Sequence, residues 1–477
     1  MQAFAELLDR LVLTPSRNGK LKLLVDYFRA TPDPDRGLAL AAITGDLDIP
    51  SVKPAMLRAL VMERMDAVLF AYSYDYVGDL AETVSLVWPG PEDEAEGISV
   101  RLSDAVAQLR SAGRADGPAV LARLLDRMTI SERFATIKLV TGGLRIGVSA
   151  RLAKQALADF GGVDVTEIEE LWHGLRPPYR ELFDWLTGKT GKPELAAAAP
   201  FRPVMLSNPV QDGDLEKIDP ADYAAEWKWD GIRVQAVAER GVRRLYSRTG
   251  DDISGTFPDL LEAMAFEAAL DGELLVGNPP EHTGTFSDLQ QRLNRKTVPM
   301  KLVGQYPVFV RCYDILQEGS EDVRTLPFLE RRQRLEAFVA TLDPSRFDLS
   351  PIVPFDDWSA LDTMRHEPPH PVIEGVMLKR LDSAYVPGRP KGPWFKWKRD
   401  PHVVDAVLMY AQRGHGKRSS FYSDFTFGVW SGPENAPVLL PVGKAYFGFT
   451  DEELRLLDKY VRDNTVERFG PVRSVRA

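Results

Sequence analysis

The sequence predicts a multidomain protein with an all-α N-terminal region, an α+β central region and a small C-terminal β-barrel. The chain has 477 residues, which is too long for one ordinary hydrophobic core. Its apolar residues recur with helical spacing up to about residue 190, and they alternate as in strands after about residue 205. Between the two patterns, GKTGKPELAAAAPFRPVM at 188–205 is rich in Gly, Pro and Ala and predicts a linker. The expected domains are 1–200, 201–399 and 400–477.

Helix start signals are frequent in the first region. Thr129 with Glu132 and Thr166 with Glu169 both fit the capping box, in which hydroxyl and carboxylate satisfy each other's backbone donors. The central region reads as strands with helical stretches between them, which predicts antiparallel sheets with flanking helices. From Asp400 onward, short strands predict the barrel.

A glycine-rich turn, TGGLRIGVS at 141–149, separates two predicted helices. Its three glycines break the first helix, and Ser149 caps the next one. Exposed amides at such a turn, with Arg145 beside them, fit a bound phosphate. A plain helix–helix turn fits the same residues and is the commoner case, so both interpretations stay open.

Four predicted strands of the central region carry charged residues at their centres. They are EWKWDGIRVQ, with Lys228 and Asp230; ALDGELLV, with Asp271 and Glu273; VIEGVML, with Glu374; and WFKWKR, with Lys396 and Lys398. An isolated buried charge is costly, so such groups usually converge on one another, on a metal or on a ligand. One such strand alone would indicate an exposed or salt-bridged face. Four strands together predict a shared polar pocket.

The stretch EWKWDGIRVQ at 226–235 reads as one strand with two different faces. Glu226, Lys228 and Asp230 lie on one face, and the two tryptophans lie on the other. Neighbouring cations disfavour a protonated lysine, and a neutral amine can attack the α-phosphate of a nucleotide and displace pyrophosphate. Lys228 is therefore the candidate nucleophile. A lysine merely paired to an acid on its own face remains an alternative.

The signs of the charges indicate what the pocket holds. Cations spread over three segments suit a polyphosphate, and they are Lys228, Arg233, Arg248, Lys396 and Lys398. Glu273 and Glu374 suit a ribose hydroxyl or a hard divalent metal ion. Tyr313 suits stacking on a base, although an aromatic residue in a strand is more often core. The chain has no GxxxxGK[ST] motif, which excludes a P-loop enzyme.

Composition excludes several classes of protein. Cys312 is the only cysteine, so an internal disulfide and a four-cysteine zinc site are impossible, and a reducing cytoplasm fits. No run of 18 or more apolar residues suggests a membrane span, so no membrane association is expected. The formal charge of −10 argues against coating nucleic acid by bulk charge but leaves local basic patches open. The basic residues of ERRQRLEAF at 330–338 are interpreted as a solvated helix face.

The central motifs resemble those of a known family. KWDGIR at 228–233 fits K-x-D-G-x-R, the nucleotidyl-attachment motif of covalent nucleotidyltransferases, namely DNA ligases, RNA ligases and mRNA capping enzymes. Five further motifs follow in the family's order: SRTGDD at 247–252, DGELL at 271–275, CYDIL at 312–316, EGVMLK at 374–379 and WFKWK at 394–398. SRTG and EGVMLK look most like ATP-dependent DNA ligases. GDLAETVSLV and TGGLRIGVSARLAKQAL resemble the helical DNA-binding domain of ligases that encircle a nick.

The resemblance implies roles at the matching positions. Lys228 would form the lysyl-AMP intermediate. Glu226 and the backbone of Trp227 would lie by the adenine, on which Tyr313 would stack, and Glu273 would meet the ribose. Arg233 and Arg248 would lie near the sugar and phosphates, and Lys396 and Lys398 would hold the α-phosphate. Arg389 would be a further phosphate contact.

The resemblance also implies cofactors, a partner and a location. ATP would be the nucleotide, and Mg²⁺ or Mn²⁺ would be placed by Glu273 and Glu374. Duplex DNA would be gripped through its minor-groove backbone, with phosphates near Gly143, Arg145 and Gly147. The three domains would be a helical DNA-binding domain, an adenylation domain and an OB-fold domain. A monomer in the cytoplasm is expected, at the nucleoid if the source is bacterial.

The implied activity is the sealing of nicks in duplex DNA by an ATP-dependent DNA ligase. Lysyl-AMP would form, AMP would move to the 5′-phosphate, and the 3′-hydroxyl would attack and release AMP. An RNA ligase or capping-type nucleotidyltransferase, and a non-catalytic nick-binding protein, are the alternatives. The chain ends at GPVRSVRA without the family's basic R-x-D-K-like motif. A truncated chain is favoured over a subfamily lacking that segment, so an incomplete barrel and slow self-adenylation are expected.

Overall fold

The computed structural model describes the chain except residues 50–51, 90–99, 114, 143, 194–197, 280–281, 294, 296–297, 401–402, 415–420, 434, 447, 471 and 477. The chain divides into two compact units. One comprises residues 1–163, 176–191 and 402–477, and the other comprises residues 164–175 and 192–401. Among the described residues, no helix is both long enough and apolar enough to cross a membrane.

The first unit begins with a series of helices. They are α1 Gln2–Leu13, α2 Arg17–Ala30, α3 Asp35–Thr44, α4 Pro54–Met62, α5 Ala67–Val77, α6 Leu80–Val87, α7 Leu102–Ser111, α8 Gly117–Leu125, α9 Ile130–Thr141, α10 Ala150–Gly161 and α12 Arg180–Leu186. The helix between the last two, α11 Val165–Leu171, belongs to the second unit. Aromatic side chains join several of them, since the ring of Phe28 meets those of Phe160 and Phe183 edge-on at 6.3 and 5.7 Å. The predicted all-α N-terminal region is confirmed.

Side-chain caps set where these helices begin. Thr129 and Glu132 form the predicted capping box at the start of α9. The capping box predicted for Thr166 and Glu169 is wrong, because α11 begins one residue before Thr166. Asp164 is the cap there, and its carboxylate accepts a hydrogen bond from the backbone amide of Thr166 at 2.7 Å.

The second unit contains two β-sheets flanked by helices. The five-stranded sheet has the order β1 Asn208–Pro209, β12 Trp394–Lys398, β11 Ile373–Arg380, β2 Tyr223–Trp229 and β10 Ile352–Val353. The seven-stranded sheet has the order β4 Val242–Ser247, β3 Ile232–Glu239, β5 Ala268–Asn278, β7 Val308–Glu318 and β8 Glu321–Asp322, with β6 His282–Thr283 beside β5 and β9 Phe347–Leu349 beside β7. The helices are α13 Pro258–Ala263, α14 Phe286–Gln290, α15 Met300–Gln305, α16 Phe328–Val339 and α17 Trp358–His366. The predicted α+β region is confirmed, although β1 and β9 pair in parallel.

The stretch predicted as one strand at 226–235 is divided between the two sheets, so that prediction is wrong. Its first half is β2 in the five-stranded sheet, and its second half is β3 in the seven-stranded sheet. The chain crosses at Gly231, where an added Cβ would lie 2.5 Å from the carbonyl oxygen of Leu274. The crossing brings Lys228 of one sheet and Arg233 of the other to the same cavity.

The C-terminal part of the first unit is an antiparallel sheet with one helix. Its elements are β13 Val407–Arg413, β14 Tyr422–Ser431, β15 Val438–Ala445, α18 Asp451–Asp463, β16 Thr465–Phe469 and β17 Val472–Val475. The strand order is β15-β14-β13-β17-β16. Phe425 of the sheet packs with Leu454 and Val461 of α18 in a small core. The sequence did not predict α18, although Thr450 and Glu453 form a capping box at its start.

Candidate active site

A cavity of about 420 Å³ lies in the second unit and is lined by strands of both sheets. A cavity of this size accommodates a ligand the size of a nucleotide. Its lining includes residues that the sequence singled out, namely Glu226, Trp227, Lys228, Arg233, Arg248, Glu273, Tyr313, Glu374, Lys396 and Lys398. Arg389 is exposed and lies outside this lining.

Strand register brings these charges together. Lys228 in β2 lies opposite Gly375 in β11, and Gly375 lies opposite Lys398 in β12. The strands are closely packed there, since a Cβ added to Gly375 would lie 2.3 Å from a carbonyl oxygen of β12. In the other sheet, Arg233 in β3 lies opposite Glu273 in β5. Side chains from β2, β12, β3 and β5, which belong to two different sheets, therefore face one cavity.

Glu374 bridges two lysines of the cavity. Its Oε1 accepts a hydrogen bond from Nζ of Lys228, and its Oε2 lies 2.6 Å from Nζ of Lys398. Partial burial raises the pKa of Glu374, but the hydrogen bonds and charges of the two lysines outweigh burial and hold the pKa below its ordinary value. The partner of Lys228 is therefore Glu374, and not Glu226 or Asp230 as the sequence had left open.

Lys396 lies among other cations. Partial burial lowers the pKa of Lys396, and the charges of Arg389, Lys398, Lys228 and Arg248 lower it further. This part of the cavity therefore carries an excess of positive charge, which favours a ligand with several negative charges. Arg389 contributes to that field although it lies outside the cavity lining.

Glu273 is a carboxyl group of a different kind. Within the described part of the chain, its carboxylate makes no hydrogen bond or ion pair, although it lines the cavity. Burial raises the pKa of Glu273 to about 8, against the opposing charges of Lys228 and Arg233. Arg233 is itself held by Asp271, with N–O distances of 2.6 and 3.0 Å. A carboxyl group left without a partner at a cavity is a candidate ligand for a hydroxyl or a hard cation.

Glu226 is only 2% exposed and is held by two cations. Its Oε2 lies 2.8 Å from Nζ of Lys379, and its Oε1 accepts a hydrogen bond from Arg332 at 3.0 Å. Burial raises the pKa of Glu226, and both cations oppose that rise. Nζ of Lys379 also lies 4.6 and 4.7 Å from the ring centroids of Tyr313 and Trp394. Together these groups form a wall that is both aromatic and polar, which suits a planar heterocycle.

The two tryptophans of β2 anchor the strand in two separate hydrophobic clusters. Trp227 packs with the cluster that contains Val376 and Phe395. Trp229 packs with the cluster that contains Leu275 and Phe309. This anchoring fixes the register that points Lys228 and Glu226 toward the cavity, since a shift of one residue would exchange the faces of the strand.

The glycine-rich turn lies in the first unit, between α9 and α10. Arg145 is exposed with a φ of 47°, and Gly147 is exposed with a φ of 65°. Gly143 lies outside the described residues. Nζ of Lys20, from α2, donates hydrogen bonds to the carbonyl oxygens of Ile146 at 2.8 Å and Gly147 at 3.0 Å. A cation from another helix thus fixes the turn in a shape that presents Arg145 to solvent.

Comparison with known proteins identifies the family. Residues 204–398 match the family model for the ATP dependent DNA ligase domain, and residues 1–158 match the model for the DNA ligase N terminus. A curated protein of Anaeromyxobacter sp. (strain Fw109-5), named "Probable DNA ligase", is 30% identical over 391 residues, covering 79% of this chain and 73% of that protein. The chain belongs to the ATP-dependent DNA ligase family. Its activity is the sealing of nicks in DNA, as the motifs predicted.

Further comparisons of this ligase extend over the whole chain. The "Probable DNA ligase" of Koribacter versatilis (strain Ellin345) is 29% identical over 522 residues, covering 100% of this chain and 87% of that protein. The solved structure named "Pmar-Lig_PreS3" superposes with a TM-score of 0.58 at 14% identity and covers 96% of this chain and 91% of that one. That likeness is one of fold.

Sequence reasoning missed two buried cations of α16 in this ligase, of which Arg332 pairs with Glu226 and Arg331 pairs with Asp314. The basic residues of α16 were expected to be solvated, but Arg331 and Arg332 are buried, so that expectation is wrong. A signal for their burial was present, because both arginines fall at helical spacing from the apolar residues Phe328 and Leu335. Long cationic side chains on an apolar helix face pack inward when a buried carboxylate receives them.

Proposed function

We propose that this ligase carries AMP on Lys228 and that the cavity of about 420 Å³ holds ATP. The observation that supports the proposal is the convergence of Lys228, Lys396 and Lys398 with two carboxylates in one cavity. Nζ of Lys228 donates a hydrogen bond to Glu374, and Lys396 and Lys398 are two further cations that can contact phosphate oxygens. These are the groups that nucleotidyl transfer to an amine requires.

In the first step Nζ of Lys228 attacks the α-phosphorus of ATP and gives up a proton to Glu374, the acceptor of its hydrogen bond. A P–N bond forms, the bond between the α-phosphorus and the α–β bridging oxygen breaks, and pyrophosphate leaves with that electron pair. Glu374 accepts a hydrogen bond from Nζ and so orients the amine. Lys396 and Lys398 neutralise the α-phosphate oxygens. AMP then passes to the 5′-phosphate of the nick, and attack by the 3′-hydroxyl releases it.

The base and sugar of the nucleotide are held by the remaining groups of the cavity. Glu226 and the backbone of Trp227 recognise the adenine, and Tyr313 stacks on it. Glu273 receives a ribose hydroxyl. The cations near the sugar and the phosphates are Arg233, Arg248 and Arg389.

A divalent metal ion, Mg²⁺ or Mn²⁺, fits Glu273 and Glu374. The fit depends on the carboxylate of Glu273, which has no partner among the described residues. The described residues contain no group of three or more His, Cys, Asp and Glu side chains placed to hold a metal ion. A metal ion here would therefore use few protein ligands together with phosphate and water. When bound, it would withdraw charge from the reacting phosphate.

The DNA partner of the reaction is a nicked duplex. Residues 1–200 act as the DNA-binding domain, in which Gly143, Arg145 and Gly147 lie near backbone phosphates. The exposed guanidinium of Arg145 on a turn fixed by Lys20 supports this assignment. Residues 201–399 form the adenylation domain and residues 400–477 an OB-fold domain, for which the five antiparallel strands and α18 are the support. The ligase acts as a monomer in the cytoplasm, at the nucleoid if its source is bacterial.

Replacing Lys228 tests the proposal. The protein and its Lys228→Ala variant are incubated with ATP, Mg²⁺ and a nicked DNA duplex, and both nick sealing and nick binding are measured. The variant is expected to lose sealing and to retain binding, because only the nucleophile is removed. Sealing at the wild-type rate by the variant would exclude Lys228 as the nucleophile. Binding without sealing by the wild-type protein would favour a non-catalytic nick-binding protein.

A further inference from the structure

The carboxylate of Glu226 is fixed from behind by a residue that does not line the cavity. Glu226 lines the cavity from β2, yet it is almost fully buried. Arg332, on α16, is 5% exposed and donates from Nη1 to Oε1 of Glu226 at 3.0 Å. Arg332 lies outside the cavity lining, so it acts on a bound nucleotide only through Glu226.

Both carboxylate oxygens of Glu226 are constrained. Oε1 meets Arg332, and Oε2 meets Nζ of Lys379 at 2.8 Å. Arg332 is itself oriented by its second hydrogen bond, from Nε to Oε1 of Glu336 on the same helix at 2.7 Å. Lys379 is oriented by its hydrogen bond to the carbonyl oxygen of Tyr313 at 3.1 Å. The carboxylate therefore has one orientation, with its remaining lone pairs available to the cavity.

The protonation state of such a carboxylate decides which base it accepts. Adenine carries an amine at its C6 position, which is a hydrogen-bond donor, whereas guanine carries a carbonyl oxygen there, which is an acceptor. An ionised carboxylate only accepts hydrogen bonds and therefore fits adenine, but a protonated carboxyl group can donate to guanine. Burial disfavours the ionised form of Glu226, and the two cations favour it. Removal of one cation shifts the equilibrium of Glu226 toward its protonated form, which can donate a hydrogen bond to guanine.

We propose that Arg332 is a positioning residue for nucleotide specificity, which pairs with Glu226 and holds its carboxylate in one orientation so that the cavity selects adenine over guanine nucleotides. This inference rests on the proposed function of the cavity as the ATP site and of Lys228 as its nucleophile. It assigns a role to a helix residue outside the six motifs that carry the family resemblance.

The test compares Arg332→Gln and Arg332→Lys with the wild-type protein and with Arg334→Gln. Arg334 is a matched control, because it lies on the same helix and pairs with exposed acids, such as Glu321 at 2.8 Å. Lysyl-nucleotide formation is measured with ATP and with GTP, giving kcat and KM for each. Sealing of a nick that already carries AMP on its 5′-phosphate is measured on the same samples, because that step needs no ATP.

Arg332→Gln is expected to raise KM for ATP by about tenfold or more with little change in kcat, because ground-state recognition of the base is lost. The preference for ATP over GTP should fall by about tenfold or more, since a site with unpaired or wrongly protonated groups discriminates poorly. Arg332→Lys should restore part of the preference, and Arg334→Gln should match the wild type. Sealing of the pre-adenylated nick should be nearly unchanged in all variants.

An unchanged ATP preference in Arg332→Gln would overturn the inference. An equal loss of adenylation and of pre-adenylated sealing, with the ATP preference kept, would also overturn it, since that pattern indicates a structural role. The preference for ATP is the ratio of the rates with ATP and with GTP on the same sample. Partial misfolding of a variant lowers both rates alike and does not change this ratio. A wild-type protein that forms no lysyl-AMP at all would instead contradict the proposed function, and the inference with it.

Discussion

Two carboxyl groups in the same cavity have pKa values that are shifted in opposite directions. Glu374 accepts hydrogen bonds from Lys228 and Lys398, which outweigh its partial burial and lower its pKa. Burial without a hydrogen-bonding partner raises the pKa of Glu273 to about 8. Such divergence within one site is typical of groups with different chemical tasks. The lowered pKa of Glu374 favours its ionised form at neutral pH, whereas the raised pKa of Glu273 favours its protonated form.

The raised pKa of Glu273 predicts a pH-dependent effect of Glu273→Gln on stability. In the unfolded chain this carboxyl ionises near its ordinary pKa of 4.5, and in the folded protein it ionises near about 8. The folded state therefore holds an extra proton between these values, and its stability falls as pH rises through this window. Glutamine does not ionise, so the variant should gain about 1–2 kcal/mol over wild type at pH 8 relative to pH 5. Denaturant unfolding at the two pH values measures this difference.

Glu262→Gln is the control for that experiment, because Glu262 is exposed and lies outside the cavity lining. Its stability difference from wild type should be the same at both pH values. A pH-independent difference for Glu273→Gln as well would contradict the burial of an unpaired carboxyl at position 273.

Individual residues of the site could be predicted where a charged residue lies within an otherwise apolar strand. Lys228, Glu374 and Lys398 each lie in such a strand, and this pattern predicts that they share a pocket. The pairing within the pocket was not predictable, because Glu374 and Lys228 are 146 positions apart and only strand register joins them. Arg332 was missed because a basic residue on a helix is usually solvated.

At the scale of elements, the chain passes at one glycine, Gly231, from one of the two sheets that line the cavity to the other. An uninterrupted alternation from 226 to 235 predicted one strand, and nothing in the alternation itself marks Gly231 as a crossing. The structure supplies the reason, because a Cβ at Gly231 would lie 2.5 Å from the carbonyl oxygen of Leu274 and 3.0 Å from Cγ of Glu273. The connection between the two sheets passes close to β5 at Gly231, a contact that the local sequence does not encode and that leaves no room for a side chain.

Gly231→Ala is therefore expected to destabilise the protein and to displace Glu273. The cost should be about 1–3 kcal/mol, because the added methyl group meets backbone and cannot be relieved by a side-chain rotation. Lysyl-AMP formation should also slow. Gly304→Ala is the control, since a Cβ at Gly304 in α15 meets nothing within 4 Å, and alanine there should be neutral or stabilising. Equal unfolding free energies for Gly231→Ala and wild type would contradict the close approach.

The glycine-rich turn gives a second prediction at this scale. Lys20 is buried and donates to two carbonyl oxygens of the turn, so Lys20→Met should leave those carbonyls unpaired and loosen the turn. Binding of a nicked duplex should weaken by about tenfold, since a lost hydrogen-bonded contact is worth about 1–2 kcal/mol. Lysyl-AMP formation should be unchanged. Lys22→Met, at an exposed position of the same helix, is the control. Unchanged nick binding by Lys20→Met would exclude a role for the turn.

At the scale of the whole molecule, the formal charge of −10 requires that DNA affinity come from local cations rather than from overall charge. The slope of log affinity against log salt concentration then measures how many phosphate contacts these cations make. Arg145→Ala should weaken binding to all duplex sequences alike and reduce the slope of log affinity against log salt by about 1. Lys20→Met should weaken binding with the slope unchanged, because Lys20 contacts carbonyl oxygens and not phosphate. Equal slopes for Arg145→Ala and wild type would remove Arg145 from the phosphate contacts.

The proposed mechanism requires a covalent bond between AMP and Nζ of Lys228. The most direct measurement is mass spectrometry of the protein after incubation with ATP and Mg²⁺, with the modified residue located by peptide fragmentation. The expected result is a mass increase of one AMP on the peptide that contains Lys228, and none in Lys228→Ala. AMP attached at any other residue, or attached equally in the variant, would contradict the proposed mechanism.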